Sequence, residues 1–260
     1  MSWLALTFAL GFVGLAAIIS RYEQLGLEKE LAVGVVRTGV QLTLIGYVLA
    51  YVFAAQHLVY ITLMLALMVG VAGHNAAKRG QQISGARLIA LVGIGLAEAI
   101  TLFLLLTLKI IPPTPQYIIP MSGMIIGNSM VAGGVALNRL ASEFHLRQGE
   151  VELALSLGAT PKQAALPVIK AAVKAGMIPT IDSMKTVGLV QLPGMMTGQI
   201  LAGADPIQAV RYQILVQFML SAATAIASFA VVFLGYSRFF TPFAQLRTTP
   251  SNYPNGHNRP

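Results

Sequence analysis

The chain has no cysteine and little charge. Without cysteine there is no disulfide, no thiolate metal site and no cysteine nucleophile. Charged residues are 10% of 260, against 56% hydrophobic, where a soluble domain carries about 25% charged. Histidine is sparse too: His57, His74, His145 and His257 are dispersed and lack metal-ligand spacing. There is no H-E-x-x-H, no glycine-rich phosphate loop and no G-x-S-x-G. These absences leave no catalytic residue, no nucleotide site and no dense metal cage to assign.

Long apolar runs fill the space. A membrane span needs roughly 20 apolar residues, because each helical residue rises ~1.5 Å across a ~30 Å hydrocarbon core. Runs at about 3–20, 32–54, 57–74, 87–108, 116–137, 177–203 and 210–236 meet that length. The first lacks Lys or Arg before Arg21, so it reads as a retained span with its N-terminus outside. Cytosolic segments 21–31, 75–86, 138–176 and the C-terminal tail, with short flanks, then hold 14 of the 17 basic residues, from Arg21 to Arg259. Lys109 and Arg211 fall outside, and Lys185 falls near span six. This bias sets the orientation. The formal charge of +8 records topology and contact with anionic lipid, since no basic-aromatic patch for nucleic acid exists. The pattern predicts an all-α polytopic membrane protein of about seven transmembrane helices, with the N-terminus outside and the C-terminus cytosolic. Residues 1–240 form one transmembrane domain, and 241–260 form a polar, disordered tail rich in Pro and Asn.

Within the cytosolic segment at about 138–176, the stretch EVELALSLGATPKQAALP (150–167) is polar enough to leave the membrane. Glu152 and Ala154 lie on a short helix that Gly158 ends in a left-handed turn. Thr160 is the N-cap of a second helix, with Pro161 at its first position and Gln163 at its third, which is the T-x-x-Q capping box. A capped helical elbow between two spans suits a permease that docks on a soluble motor.

Several residues inside the spans could carry chemistry. Glu98 sits in span four, where a carboxylate costs roughly 2.5–3.5 kcal/mol. It reads either as a cation or proton site, including a metal contact, or as a buried partner for Arg37 or for a polar group elsewhere. Arg37 and Gln41 share a helix face, and Asp182 and Lys185 are spaced for an ion pair. Gly123 and Gly127 in span five, and Gly194 and Gly198 in span six, form G-x-x-x-G pairs for close helix packing. Asn128 between them reads as an interhelical hydrogen bonder or a pathway residue. Met121, Met124, Met195 and Met196 offer soft thioether contacts or adaptable packing. Span six also contains Gln191 and Pro193, and a proline kinks or breaks a helix. A broken helix at membrane depth belongs against protein or a wet cavity, so this segment is a candidate lining of the pathway or subunit interface.

The segments VRTGVQLTLIGYVL, PMSGMIIGNSMVAGGVALNRL, VELALSLGATPKQA and IPTIDSMKTVGLVQLPGMMTGQILAGADPIQAVRYQI together resemble the FetB-type ABC transporter permeases. These are bacterial iron exporters, and plant permeases linked to aluminium tolerance are similar. The resemblance covers roughly residues 31–238. Glu152–Leu153–Ala154 followed by Gly158 resembles the E-A-A-x3-G loop that seats a coupling helix in an ATPase groove. It implies an ATPase-coupling role for Glu152, Ala154, Gly158, Ala159, Thr160 and Pro161. Leu166–Pro167 comes four residues earlier than the family's usual I-x-L-P ending. The resemblance further implies a homodimer in the bacterial inner membrane, two copies of a separate ATPase chain that carry the ATP and Mg, no cofactor on this chain, and export of iron or a related metal. Two other classes compete: an ion-coupled secondary transporter or channel using Glu98, and an intramembrane hydrolase, for which Ser122 has no histidine nearby in sequence.

Overall fold

The computed structural model describes residues 3–55 and 57–247, which are helical with no strand beyond isolated bridges. Ten α-helices follow in order: α1 Trp3–Tyr22, α2 Glu28–Ala55, α3 Leu58–Ala77, α4 Ala86–Thr107, α5 Pro115–Leu146, α6 Gln148–Ser156, α7 Pro161–Ala164, α8 Leu166–Thr186, α9 Gly194–Leu201 and α10 Pro206–Gly235. Among the described residues, the helices long and apolar enough to cross a membrane are α2, α3, α4, α5 and α10. In α1 the described apolar stretch is Leu10–Tyr22.

Two compact units divide the chain near His57. The first contains α1 and α2, closed by a tight turn. The Leu27 N–H donates to Ser20 Oγ at 3.0 Å, and that hydroxyl donates to Glu28 Oε1 at 3.0 Å. Glu28 and Glu30 occupy the first turn of α2, where carboxylates favour the positive end of the helix dipole.

The second unit is a bundle in which α5 packs against α3, α4, α8 and α10. Its core joins Ile94, Leu137, Leu140, Val168, Val231 and Val232. The helices meet through small residues. A Cβ added to Gly93 would lie 2.5 Å from a Val231 methyl, and one added to Gly176 would lie 2.5 Å from Ser228 Oγ and 2.8 Å from the Ala132 carbonyl. Such contacts let backbones approach closely, and dispersion at that range holds helices together where lipid supplies no hydrophobic drive.

Two features go beyond the sequence expectation. α5 has 32 residues, about 48 Å of helix, so it runs nine residues past the expected span and continues as the first arm of the elbow. In the expected sixth span, 177–203, where the sequence left a kink or a break open, the helix is broken. α8 starts at Leu166 and ends at Thr186, and α9 begins only at Gly194. Gly188 takes φ +84°, a region that costs glycine little. Pro193 lacks the N–H that a continuous helix would use, and it caps α9. The break satisfies its own backbone: Val190 N–H donates to the Thr186 carbonyl and Gly188 N–H to that of Gln191, both at 3.0 Å. Leu189 and Val190 are nearly fully exposed at its tip.

Beyond α10, residues 241–247 form a closed turn, with Phe240 paired to Leu246 and the Thr241 N–H donating to the Gln245 carbonyl at 2.8 Å. The rest of the tail expected to be disordered, from residue 248, lies outside the described residues.

The glycine contacts carry a test. Gly176→Ala forces a methyl against the α5 backbone and lowers unfolding stability by about 1–3 kcal/mol. Gly194→Ala, whose Cβ meets nothing within 4 Å inside the chain, leaves the stability of the isolated protomer unchanged. Thermal denaturation in detergent compares the two, and equal melting temperatures would refute the close approach at Gly176.

Candidate functional site

The elbow begins where α5 runs out. Glu143 near its end is buried, yet ion-paired to Arg139 and, at 2.7 Å, to Arg147. Arg147 also reaches Glu150 at 3.2 Å, so the acid at 143 links α5 to the first turn of α6. The hydrogen bond that Arg147 donates to Glu143, the charge of Glu143 and that of Glu150 hold the Arg147 guanidinium above its ordinary pKa. α6 then ends in a Schellman motif. Gly158 has φ +90°, its N–H donates to the Leu155 carbonyl, and the Ala159 N–H donates to that of Ala154, both at 3.0 Å. The capping box follows: Gln163 N–H donates to Thr160 Oγ1 at 3.3 Å and Thr160 N–H to Gln163 Oε1 at 2.9 Å. Pro161 holds the first helical position.

Val151, Ala164, Ala165 and Val168 fasten this elbow to the core of the bundle. Its outer face presents Glu152 with Leu153 and Leu157, the last 80% exposed. Glu152 Oε1 accepts only the Gln148 amide at 2.9 Å. Glu152, Ala154, Gly158, Ala159, Thr160 and Pro161 therefore share one rigid surface feature. Glu143 and Arg147 were missed in the sequence reading. Their i, i+4 spacing in R-x3-E-x3-R, residues 139 to 147, was the available signal.

A second set lies between the apolar helices. Glu98 on α4 is buried, and among the described residues neither carboxylate oxygen has a hydrogen-bond partner. The Ser122 hydroxyl of α5 faces it but does not complete a well-formed bond, and Thr101 Oγ1, three residues along α4, is also unpartnered. A crevice of about 90 Å³ opens between α5, α8 and α10, lined in part by Asn128, Thr180, Ser183 and Gln217. Gln217 Nε2 donates to Ser183 Oγ at 3.4 Å.

Other candidates fall into different surroundings. Asn128 lines the crevice, but its Nδ2 donates to the Met124 carbonyl of its own helix at 2.9 Å, so the hydrogen bond is not interhelical. Met121, Met124 and Met195 gather in one apolar cluster with Ile125 and Met219. Met196 is half-buried on α9, and Gln191 is exposed at the break. A Cβ at Gly123 would meet only the Met68 methyl, at 3.3 Å, and at Gly127, Gly194 and Gly198 it would meet nothing within 4 Å. Within this chain the tight glycines are others, Gly93 and Gly176 among them. Asp182 and Lys185 pair at 3.1 Å on an exposed face of α8. Among the described residues, no three of His, Asp or Glu group together as a metal cage.

The profile of an uncharacterised protein family, UPF0014, matches residues 3–240. The UPF0014 membrane protein YjkA of Bacillus subtilis is 47% identical over 95% of this chain and 99% of its own length. A protein of Escherichia coli named "Probable iron export permease protein FetB" is 41% identical over 94% of this chain and 95% of its own. The Arabidopsis thaliana protein ALUMINUM SENSITIVE 3 is 40% identical over 92% and 88%. No solved structure matches the chain.

The two buried acids predict opposite responses. Glu98→Gln removes a carboxylate that has no partner and leaves the melting temperature unchanged or raised. Glu143→Gln strands two arginines and costs on the order of 2 kcal/mol, less than a fully buried pair because both guanidiniums are partly exposed. A Glu98→Gln protein that melts as early as Glu143→Gln would show that Glu98 has a stabilising partner.

Proposed function

This chain belongs to the UPF0014 family of multi-pass membrane proteins, and on that premise we propose that it is the permease subunit of an ATP-driven ABC transporter. The observation that carries this reading is the elbow. A Schellman turn followed at once by a capping box makes a stiff, water-exposed knob. Its neighbours are α5 on one side and α8 on the other, both of which run into the bundle. A push on Glu152, Leu153 and Leu157 is therefore delivered to two helices together. ATP and Mg reside on a separate ATPase chain, and this chain binds no cofactor and catalyses no reaction itself.

In this reading seven segments cross the bilayer, α8 and α9 forming the sixth as a broken pair. The N-terminus is outside and the elbow cytosolic, as the distribution of Lys and Arg favours. Two copies form the transporter. The exposed break at 187–193 and the unfilled faces of Gly127, Gly194 and Gly198 supply surfaces for the second copy. The substrate is iron or a related metal ion, supported by the name of the Escherichia coli relative. The crevice at Asn128 and the acid at Glu98 line its route. A transported ion must leave again, so a sparse ligand set suits the role.

A second reading has its own support. The unpartnered Glu98 carboxylate also suits an ion-coupled carrier or channel that needs no ATPase. ATPase activity in proteoliposomes holding this chain and its ATPase subunit, titrated with ferrous iron and other cations, separates the two. The expected result is stimulation by one cation, lost in Glu152→Lys although that chain inserts normally. ATP-independent transport driven by an ion gradient would favour the second reading instead. Orientation has a separate check in the cysteine-free background. In right-side-out vesicles a membrane-impermeant maleimide labels Pro113→Cys but not Gln163→Cys, and the reverse pattern would invert the topology.

A further inference from the structure

The elbow does not present its outer face alone. The closed turn at 241–247 stands beside α6, and between them lies an open groove of about 440 Å³. One wall is formed by Glu152, Leu155 and Ala159, the other by Phe243, Gln245 and Leu246. The turn is a built element. Phe239, just before it, stacks on Phe144 of α5 with ring centroids 4.1 Å apart. The Arg247 N–H donates to the Phe239 carbonyl at 2.8 Å, and Arg247 Nε to that of Phe240 at 3.1 Å. Leu246 packs against the bundle core. At the tip Ala244 has φ +61°, a conformation uncommon outside glycine. Beside it the Phe243 ring is 85% exposed, beyond the apolar segment that ends at Phe239.

We propose that this turn is the second half of the ATPase docking surface, and that the groove receives an apolar side chain of the ATPase flanked by a lysine or arginine. The inference rests on the coupling role of the elbow given above. Charge selects the occupant. Of the nine acidic residues in a chain of net charge +8, Glu143, Glu150 and Glu152 cluster here. Glu143 pairs with Arg139 and Arg147, and Glu150 shares Arg147. Glu152 accepts only an amide and stays exposed at the groove. A basic side chain on a protein partner is attracted by that carboxylate. The groove continues the face that carries Glu152, so a partner seated on the elbow reaches Phe243 as well. An exposed aromatic at the centre of such a contact is the kind of residue that dominates binding energy.

The test uses the full-length chain in nanodiscs and the purified ATPase subunit, with binding affinity and thermal stability measured on the same preparations. Phe243→Ala is expected to weaken binding about tenfold or more, and Phe243→Glu to do so more severely. Neither should change the melting temperature, because the ring is exposed. Wild-type affinity in both Phe243 variants, with loss in Glu152→Lys, would overturn the inference and leave the elbow reading standing. Failure of the unaltered chain to bind the ATPase would overturn both. A loss of affinity matched by a loss of stability would assign Phe243 to the fold and overturn the docking role. Unchanged ATPase binding with altered incorporation into anionic vesicles would assign the turn to lipid and likewise overturn it.

Discussion

The structure depends on the close approach of α8 to α5 and α10 around Gly176. Its Cα leaves no room for a methyl beside the Ala132 carbonyl and Ser228 Oγ. In an apolar solvent helices gain little from burying apolar surface, so short-range dispersion between small residues must hold them. The same contact positions what lies at both ends of α8. Toward its N-terminus is the elbow. Toward its C-terminus are the crevice lined by Thr180 and Ser183 and the break at 187–193.

That arrangement ties the exposed face of the elbow to the crevice between α5, α8 and α10 through one packed helix. α5 supplies the parallel connection, because it runs unbroken from the crevice at Asn128 to the ionic joint at Glu143. Interiors packed this closely do not deform gradually. Under the proposed coupling role, a force at the elbow would be carried along α5 and α8 as a shift of whole helices, and the self-bonded break after Thr186 would be a place to absorb it.

The two buried acids show how environment separates two identical side chains. Glu143 is buried near the end of α5, and two partly exposed arginines with long apolar stems reach back to neutralise it. Glu98 is buried on α4 with the Ser122 hydroxyl facing it, and its carboxylate has no hydrogen-bond partner among the described residues. The first is a structural tie. The second leaves its bonding capacity open.

Much of this was legible in the chain itself. Apolar run lengths located α2, α3, α4 and α10 to within a few residues, because a bilayer imposes a fixed length and nearly continuous hydrophobicity. The Gly158 turn and the Thr160 cap were readable because capping is local chemistry, decided by residues four or five apart. The resemblance to a permease family was carried by contiguous motifs, and the family match bears it out. Where contacts join distant segments, the sequence was silent. G-x-x-x-G pointed to Gly194 and Gly198, whereas the tight contacts inside this chain fall at Gly93 and Gly176, since which glycine faces a neighbour depends on how helices are rotated in the bundle. Pro193 left a kink or a break open, and only the structure shows the Gly188 turn and its hydrogen bonds that make it a complete break. The pairing of the elbow with the C-terminal turn, some ninety residues apart in the chain (Glu152 to Phe243), was decided by tertiary packing alone: Phe144 and Phe239 must stack before that groove exists.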